Sequence, residues 1–144
     1  MSDSDVYVDS NVFLNVLLYD DSRKAADARK VLGLIESAGI VAYTSTLTWD
    51  EVVWVVRRLM GNSDSAQAGK KLLSFPNLRF VPATEELLVR AQRLVEEYGI
   101  APRDAIHCAS AMSRDAKTII SDDPDFDAVS GLERKNPGTF IRSL

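Results

Sequence analysis

A handful of acidic residues stand where they could do chemistry. Asp9 directly follows the apolar run Val6–Tyr7–Val8. Glu51 interrupts a mostly apolar helical stretch, and Asp104 sits in "PRDAIHC". Asp122, Asp123, Asp125 and Asp127 crowd the six residues after "TIIS", with no Lys or Arg among them. Carboxylates forced into one pocket cannot all stay ionised unpaired. A hard divalent cation relieves that repulsion, and Mg2+ or Mn2+ takes oxygen ligands, often carboxylates together with waters and substrate phosphates. Such a centre activates water and stabilises charge on a reacting phosphate; two ions roughly 3.5–4 Å apart clamp both attacking and leaving oxygens.

That chemistry needs none of the groups this chain lacks. His107 is the only histidine and Cys108 the only cysteine. His-based metal cages, cysteine zinc sites and a disulfide framework are therefore excluded, along with most His-dependent triads. His107 and Cys108 are expected to be packing residues near the site. Each acid also has an ordinary reading. Asp9 suits a turn after a strand, Asp104 complements a helix dipole, Glu51 suits a solvated helix edge, and the 122–127 run suits a solvated loop. Taken together they resist it, because two acidic groups end apolar strands and a third interrupts an apolar helix.

The elements around them alternate. Short apolar runs at Asp5–Asp9, Ile40–Thr44, "LRFVPA" and "KTIIS" read as strands. The tail "GTFIRSL" reads as a candidate fifth. Between them lie "SNVFLNVLLYDD", with Ser10 or Asn11 as N-cap, and "SRKAADARKVLGLIESAG", with Gly39 at its stop. "STLTWDEVVWVVRRLMGN" and "SAQAGKKLLSF" come next, then "TEELLVRAQRLVEEYG" and "APRDAIHCASAMSRDA", the last with Pro102 in its first turn. Strand–helix alternation predicts an α/β/α three-layer fold around a parallel sheet of four or five strands. Ligands of such sheets bind at the carboxyl ends of the strands, where Asp9 and the 122–123 pair fall. If strands one and four are neighbours, these acids face each other.

The 144 residues suit one domain spanning 1–144, without repeats or linkers. With 17 Lys and Arg against 21 Asp and Glu, the net charge is −4. That argues against a basic nucleic-acid coat but not against an enzyme whose acids hold cations. No apolar run reaches the roughly 20 residues that span a bilayer, and the acidic start "MSDSDVYVDS" lacks a signal-peptide pattern. The expectation is a cytoplasmic protein.

The ordered set "VYVDSNVFLNVL", "TSTLTWDEVVWVVRR", "PRDAIHCASAM" and "TIISDDPDFDAVSGL" resembles the PIN-domain family, and within it the VapC-like toxins of toxin–antitoxin pairs. The resemblance covers nearly the whole chain. It implies a Mg2+- or Mn2+-dependent endoribonuclease leaving a 5′-phosphate and a 3′-hydroxyl. Asp9, Glu51, Asp104 and Asp123 match the family's four acids, as metal-binding and catalytic residues. Asn11, Ser121, Asp122 and Asp125 are supporting residues, and roles among Asp122, Asp123 and Asp125 stay interchangeable. Ser121 replaces the usual Thr but keeps the hydroxyl. The resemblance further implies an RNA substrate, a homodimer and an antitoxin partner, in keeping with the apolar excess on the first and third helices. Trp49 and Trp54 are expected in core or interface. Arg57, Arg58 and Arg103 are candidates for phosphate contact or simply an exposed helix face.

Three rival readings fit the residues less well. A receiver-like module wants an Asp ending the third strand and a Lys ending the fifth; "LRFVPA" and "GTFIRSL" offer neither. A haloacid-dehalogenase-like phosphatase would use Asp9 as nucleophile and Lys117 as its catalytic cation, but Asn11 stands where its second acid belongs. A PIN fold reduced to a binding module would not need all four acid positions filled.

Overall fold

The computed structural model describes residues 5–18 and 22–144. The acidic start Met1–Ser4 and the end of "SNVFLNVLLYDD", Tyr19–Asp21, lie outside the described residues. Along the chain run β1 (Asp5–Val8), α1 (Ser10–Leu18), α2 (Arg23–Glu36), β2 (Val41–Ser45), α3 (Thr46–Met60), α4 (Asn62–Leu73), β3 (Leu78–Val81), α5 (Glu85–Tyr98), α6 (Pro102–Ser113) and β4 (Thr118–Ile120). A 3-10 turn over Pro124–Ala128, β5 (Glu133–Lys135) and α7 (Pro137–Arg142) complete it.

All strand pairs are parallel, in the order β3-β2-β1-β4-β5. The side-chain period of two divides each central strand between two cores. Val6, Val8, Ala42 and Ile120 pack on the side of α1, α2 and α3. Tyr7 and Ile119 pack on the other side, against α5 and α6. This is the expected three-layer α/β/α fold with five strands. β1 and β4 are neighbours, with Val8 opposite Ile120, so Asp9 and Ser121 leave the sheet side by side. Asp9 N–H donates to the Ile120 carbonyl at 3.0 Å, which continues the ladder one residue past the strands.

Three local expectations are corrected. The fifth strand is Glu133–Lys135, not the tail. "GTFIRSL" falls in α7, because Asn136 Oδ1 accepts the Thr139 N–H and Pro137 takes the first helical position, where a missing N–H costs nothing. Ser10 and Asn11 do not cap α1; they lie within it, and Asp9 precedes it, accepting the Ser10 N–H at 2.8 Å. α2 stops through Ala38 rather than Gly39. Ala38 takes the left-handed φ of 61°, while Gly39 N–H reaches back to the Leu34 carbonyl at 2.8 Å. That pattern is a Schellman closure with alanine where glycine is usual.

The new fifth strand also changes one rival. β5 does end in Lys135, as a receiver would want, but its ammonium lies 3.5 Å from Glu133 Oε1 and 3.5 Å from Ser143 Oγ, and no acid ends β3. Lys117 precedes β4, at the sheet edge opposite Asp9 and Asp123. The phosphatase reading loses its cation there.

Candidate active site

Asp9 is placed by β1 and held by the segment after β4. Ser121 Oγ donates to Asp9 Oδ2 at 2.7 Å. The same hydroxyl accepts from Asn11 Nδ2 at 3.1 Å and from the Asp123 N–H at 3.0 Å. One buried hydroxyl thus joins the end of β1, the first turn of α1 and the loop carrying Asp123. Burial pushes the Asp9 carboxyl above its ordinary range; His107, Ser121 and the Ser10 N–H pull it back only in part.

Glu51 comes from α3 and His107 from α6. His107 Nε2 lies 2.6 Å from Glu51 Oε1 and 3.5 Å from Asp9 Oδ1. On the ring's other side Nδ1 lies 2.6 Å from the Tyr7 hydroxyl, which accepts the Ser45 N–H at 2.9 Å. Burial disfavours a charged imidazole, but the Glu51 hydrogen bond and the charges of Asp9, Glu51 and Asp104 outweigh it, so the pKa of His107 is raised. The packing expectation for His107 is therefore incomplete. The ring is buried, yet both nitrogens are engaged and one faces two site acids.

Asp104 stands in the first turn of α6, which starts on Pro102. Its carboxylate groups with those of Asp123 and Asp125, one oxygen of each within 4.8 Å of the others. Asp9, Glu51 and His107 form a second such group. The four expected acids thus fall into two adjoining groups, linked by the field of Asp9 on Asp104. Partial burial, then Asp123 and Asp9, raise the Asp104 pKa to about 6. Asp122 turns elsewhere: its Oδ2 accepts from Asn15 Nδ2 at 2.7 Å, on the α1 side. Asp123 Oδ1 also accepts the Asp125 N–H at 2.9 Å, which shapes the loop between the two acids.

The charge that balances this loop comes from further along the chain. Arg134 in β5 grips Asp127 through Nε and Nη2, at 2.8 and 3.1 Å, and donates Nη1 to the Ser121 carbonyl at 3.2 Å. Burial drives the Cys108 thiol up to about 12, with Asp104 and Asp9 adding to it, so it is no nucleophile near neutrality. Trp49 and Trp54 are exposed rather than core, and Arg57, Arg58 and Arg103 occupy exposed helix faces. Arg57 is engaged by Asn62 Oδ1 at 2.7 Å.

The donor set suits a hard divalent ion. It is carboxylate-rich, drawn from β1, α3, α6 and the loop after β4, and strained by like charge at Asp104.

Comparison with known proteins agrees with the fold. The family model described as PIN domain matches residues 6–132. No curated protein sequence matches the chain. Among solved structures, the Mycobacterium tuberculosis sarcin-ricin loop cleaving toxin VapC20 superposes with a TM-score of 0.71 at 20% identity, covering 87% of this chain and 95% of that one. VapBC2 from Rickettsia felis, bound to a promoter DNA fragment, gives 0.71 at 14% identity, covering 92% and 98%. A toxin–antitoxin complex from Klebsiella pneumoniae gives 0.64 at 19% identity, covering 92% and 97%.

Proposed function

The chain belongs to the PIN domain family, and from that membership we propose that it is a divalent-metal-dependent endoribonuclease, the toxin half of a toxin–antitoxin pair acting in the cytoplasm. The observation that carries the reading is the convergence of Asp9, Glu51, Asp104 and Asp123 at the carboxyl end of the sheet, with Asp104 raised to about 6. Carboxylates this close are stable as anions only with positive charge among them.

Asp104, Asp123 and Asp125 would hold one Mg2+ or Mn2+, and Asp9 with Glu51 the adjoining position. A bound ion there supplies Lewis-acid stabilisation of phosphate charge and a more acidic water. The chain's own residues do the positioning. Ser121 and the Ser10 N–H fix both oxygens of Asp9. His107 holds Glu51 facing Asp9. Glu51, half-buried at the edge of the site, would either complete that ligand set or hold the attacking water, and the products would be a 5′-phosphate and a 3′-hydroxyl. Asp122 serves the frame through Asn15 and is outside the ligand set.

Two features support the partners. Trp54, Leu59 and Met60 on α3 and Leu73 on α4 are exposed apolar side chains, as at interfaces between copies of one chain. A cavity of about 230 Å³ between α1, α3 and α4, lined by Phe13, Val16, Leu17, Val52, Leu72 and Phe75, suits an apolar segment of an antitoxin. The test is cleavage of a labelled RNA panel with Mg2+ or Mn2+, comparing wild type, Asp104→Asn and an EDTA control. Metal-dependent cutting abolished by Asp104→Asn is expected. No cutting by folded, inhibitor-free wild type would overturn the reading.

A further inference from the structure

The His107 ring sits among site acids closely enough to serve as a metal ligand, since Nε2 groups with oxygens of Asp9 and Glu51 within 4.8 Å. Its hydrogen bonds argue for a different role. A bare Nε2 would set a lone pair against Glu51 Oε1 at 2.6 Å and Asp9 Oδ1 at 3.5 Å, acceptor against acceptor. A proton on Nε2 turns both contacts favourable. Only one ring state lacks that proton, the neutral tautomer carrying its hydrogen on Nδ1.

Tyr7 opposes that state. Its hydroxyl already accepts the Ser45 N–H at 2.9 Å, and the Thr44 hydroxyl beside it donates to the Val8 carbonyl at 2.7 Å. In the neutral ring the phenol proton goes to His107 Nδ1, 2.6 Å away; in the charged ring Nδ1–H donates to the phenol oxygen instead, and Nε2 carries its hydrogen in both. Tyr7 is fully buried on β1 and His107 is 1% exposed on α6, so no solvent competes for these contacts.

The geometry points to Tyr7 and His107 as a positioning relay, in which the Ser45 backbone fixes Tyr7, Tyr7 fixes the imidazole, and the Nε2–H aims Glu51 and Asp9 rather than ligating metal. Outer hydrogen-bond partners of this kind orient ligands and tune a site. The relay rests on the nuclease reading for what Glu51 does, but its nitrogen chemistry does not depend on RNA.

His107 being the sole histidine, one long-range proton–nitrogen NMR spectrum of untagged protein reports this ring alone. We expect a protonated Nε2 in metal-free protein, unchanged after adding Mg2+ or Zn2+. Tyr7→Phe should speed exchange of the Nε2 proton with water at least roughly tenfold and lower kcat about tenfold with KM little changed. A bare or metal-shifted Nε2 in wild type would overturn the relay outright, whether or not the variant folds. An exchange rate untouched by Tyr7→Phe would show that packing alone holds the ring and would remove Tyr7 from it. Failure to cut RNA with a protonated, slowly exchanging Nε2 would count against the nuclease reading and leave the relay standing.

Discussion

Ser121 Oγ lies 2.7 Å from Asp9 Oδ2, and this one hydroxyl also accepts from Asn11 and the Asp123 N–H. The residues it joins are about 110 positions apart in sequence. They meet because β1 and β4 are parallel neighbours in matched register.

Ser121→Ala leaves a buried carboxylate oxygen without its donor and the Asp123 N–H without its acceptor. The expected cost is about 1–3 kcal/mol in urea unfolding and roughly 10–100-fold in metal affinity or RNA cleavage. Ser121→Thr keeps the oxygen and should restore most of both. Equal loss in both variants would show that the site needs space at this position, not a hydroxyl.

Asp104 gives a pH signature. Its pKa is raised from 3.8 to about 6, chiefly by burial. Between those values the folded chain binds more protons than the unfolded one, so this group's contribution to stability is greatest below about 4 and is lost as pH rises through 6. Metal-free wild type should therefore lose Tm relative to Asp104→Asn across that window. Mg2+ should raise the wild-type Tm more at pH 7 than at pH 5, because protons compete for the same oxygens. Parallel Tm curves for the two proteins would refute the assignment.

Arg134 separates stability from function. Its pair with Asp127 is solvent-exposed on the acid's side, and exposed pairs contribute little to folding. Its third contact, to the Ser121 carbonyl, steadies the strand end that carries the site. Arg134→Gln should leave the unfolding midpoint nearly unchanged and weaken Mg2+ or Mn2+ binding roughly tenfold by calorimetry. An unaltered affinity would reduce Arg134 to surface charge.

Ala38 offers a stabilising change. A non-glycine residue in the left-handed region is strained by about 1 kcal/mol. Ala38→Gly should raise stability by roughly 0.5–1 kcal/mol in urea without changing cleavage, since α2 ends just before β2 begins, at the sheet edge opposite Asp9 and Asp123. Gly69→Ala should do the reverse, by about 1–3 kcal/mol, because a Cβ there would meet Trp49 Nε1 and Val53 Cγ2 at 2.9 Å where α4 packs on α3.

Local patterning determined much of this molecule before any contact was known. Apolar runs alternating with helical periodicity imply a parallel three-layer sheet, and acids placed just after such runs fall at its carboxyl edge. Asp9 and the Asp122–Asp123 pair were legible for that reason, and Glu51 because it breaks an apolar stripe. α7 was legible in principle from Asn136–Pro137, a cap followed by a helix-starting proline, but its apolar tail resembles a strand. β5 was not, because Glu133–Lys135 is a charged edge segment with no apolar period.

Tertiary structure alone decided the rest. Asp122 and Asp123 are equivalent in sequence, and only Asn15 on α1 draws one away while Ser121 holds the other. Asp125 joins Asp104 because the loop turns on Asp123 Oδ1. His107 reads as packing because its period places it on a buried face. Its partners Tyr7 and Glu51 are 100 and 56 residues distant, and no local pattern encodes a hydrogen bond closed across two faces of a sheet. Periodicity reports which side of an element is buried; which polar groups meet there depends on strand order and register, which long-range packing sets.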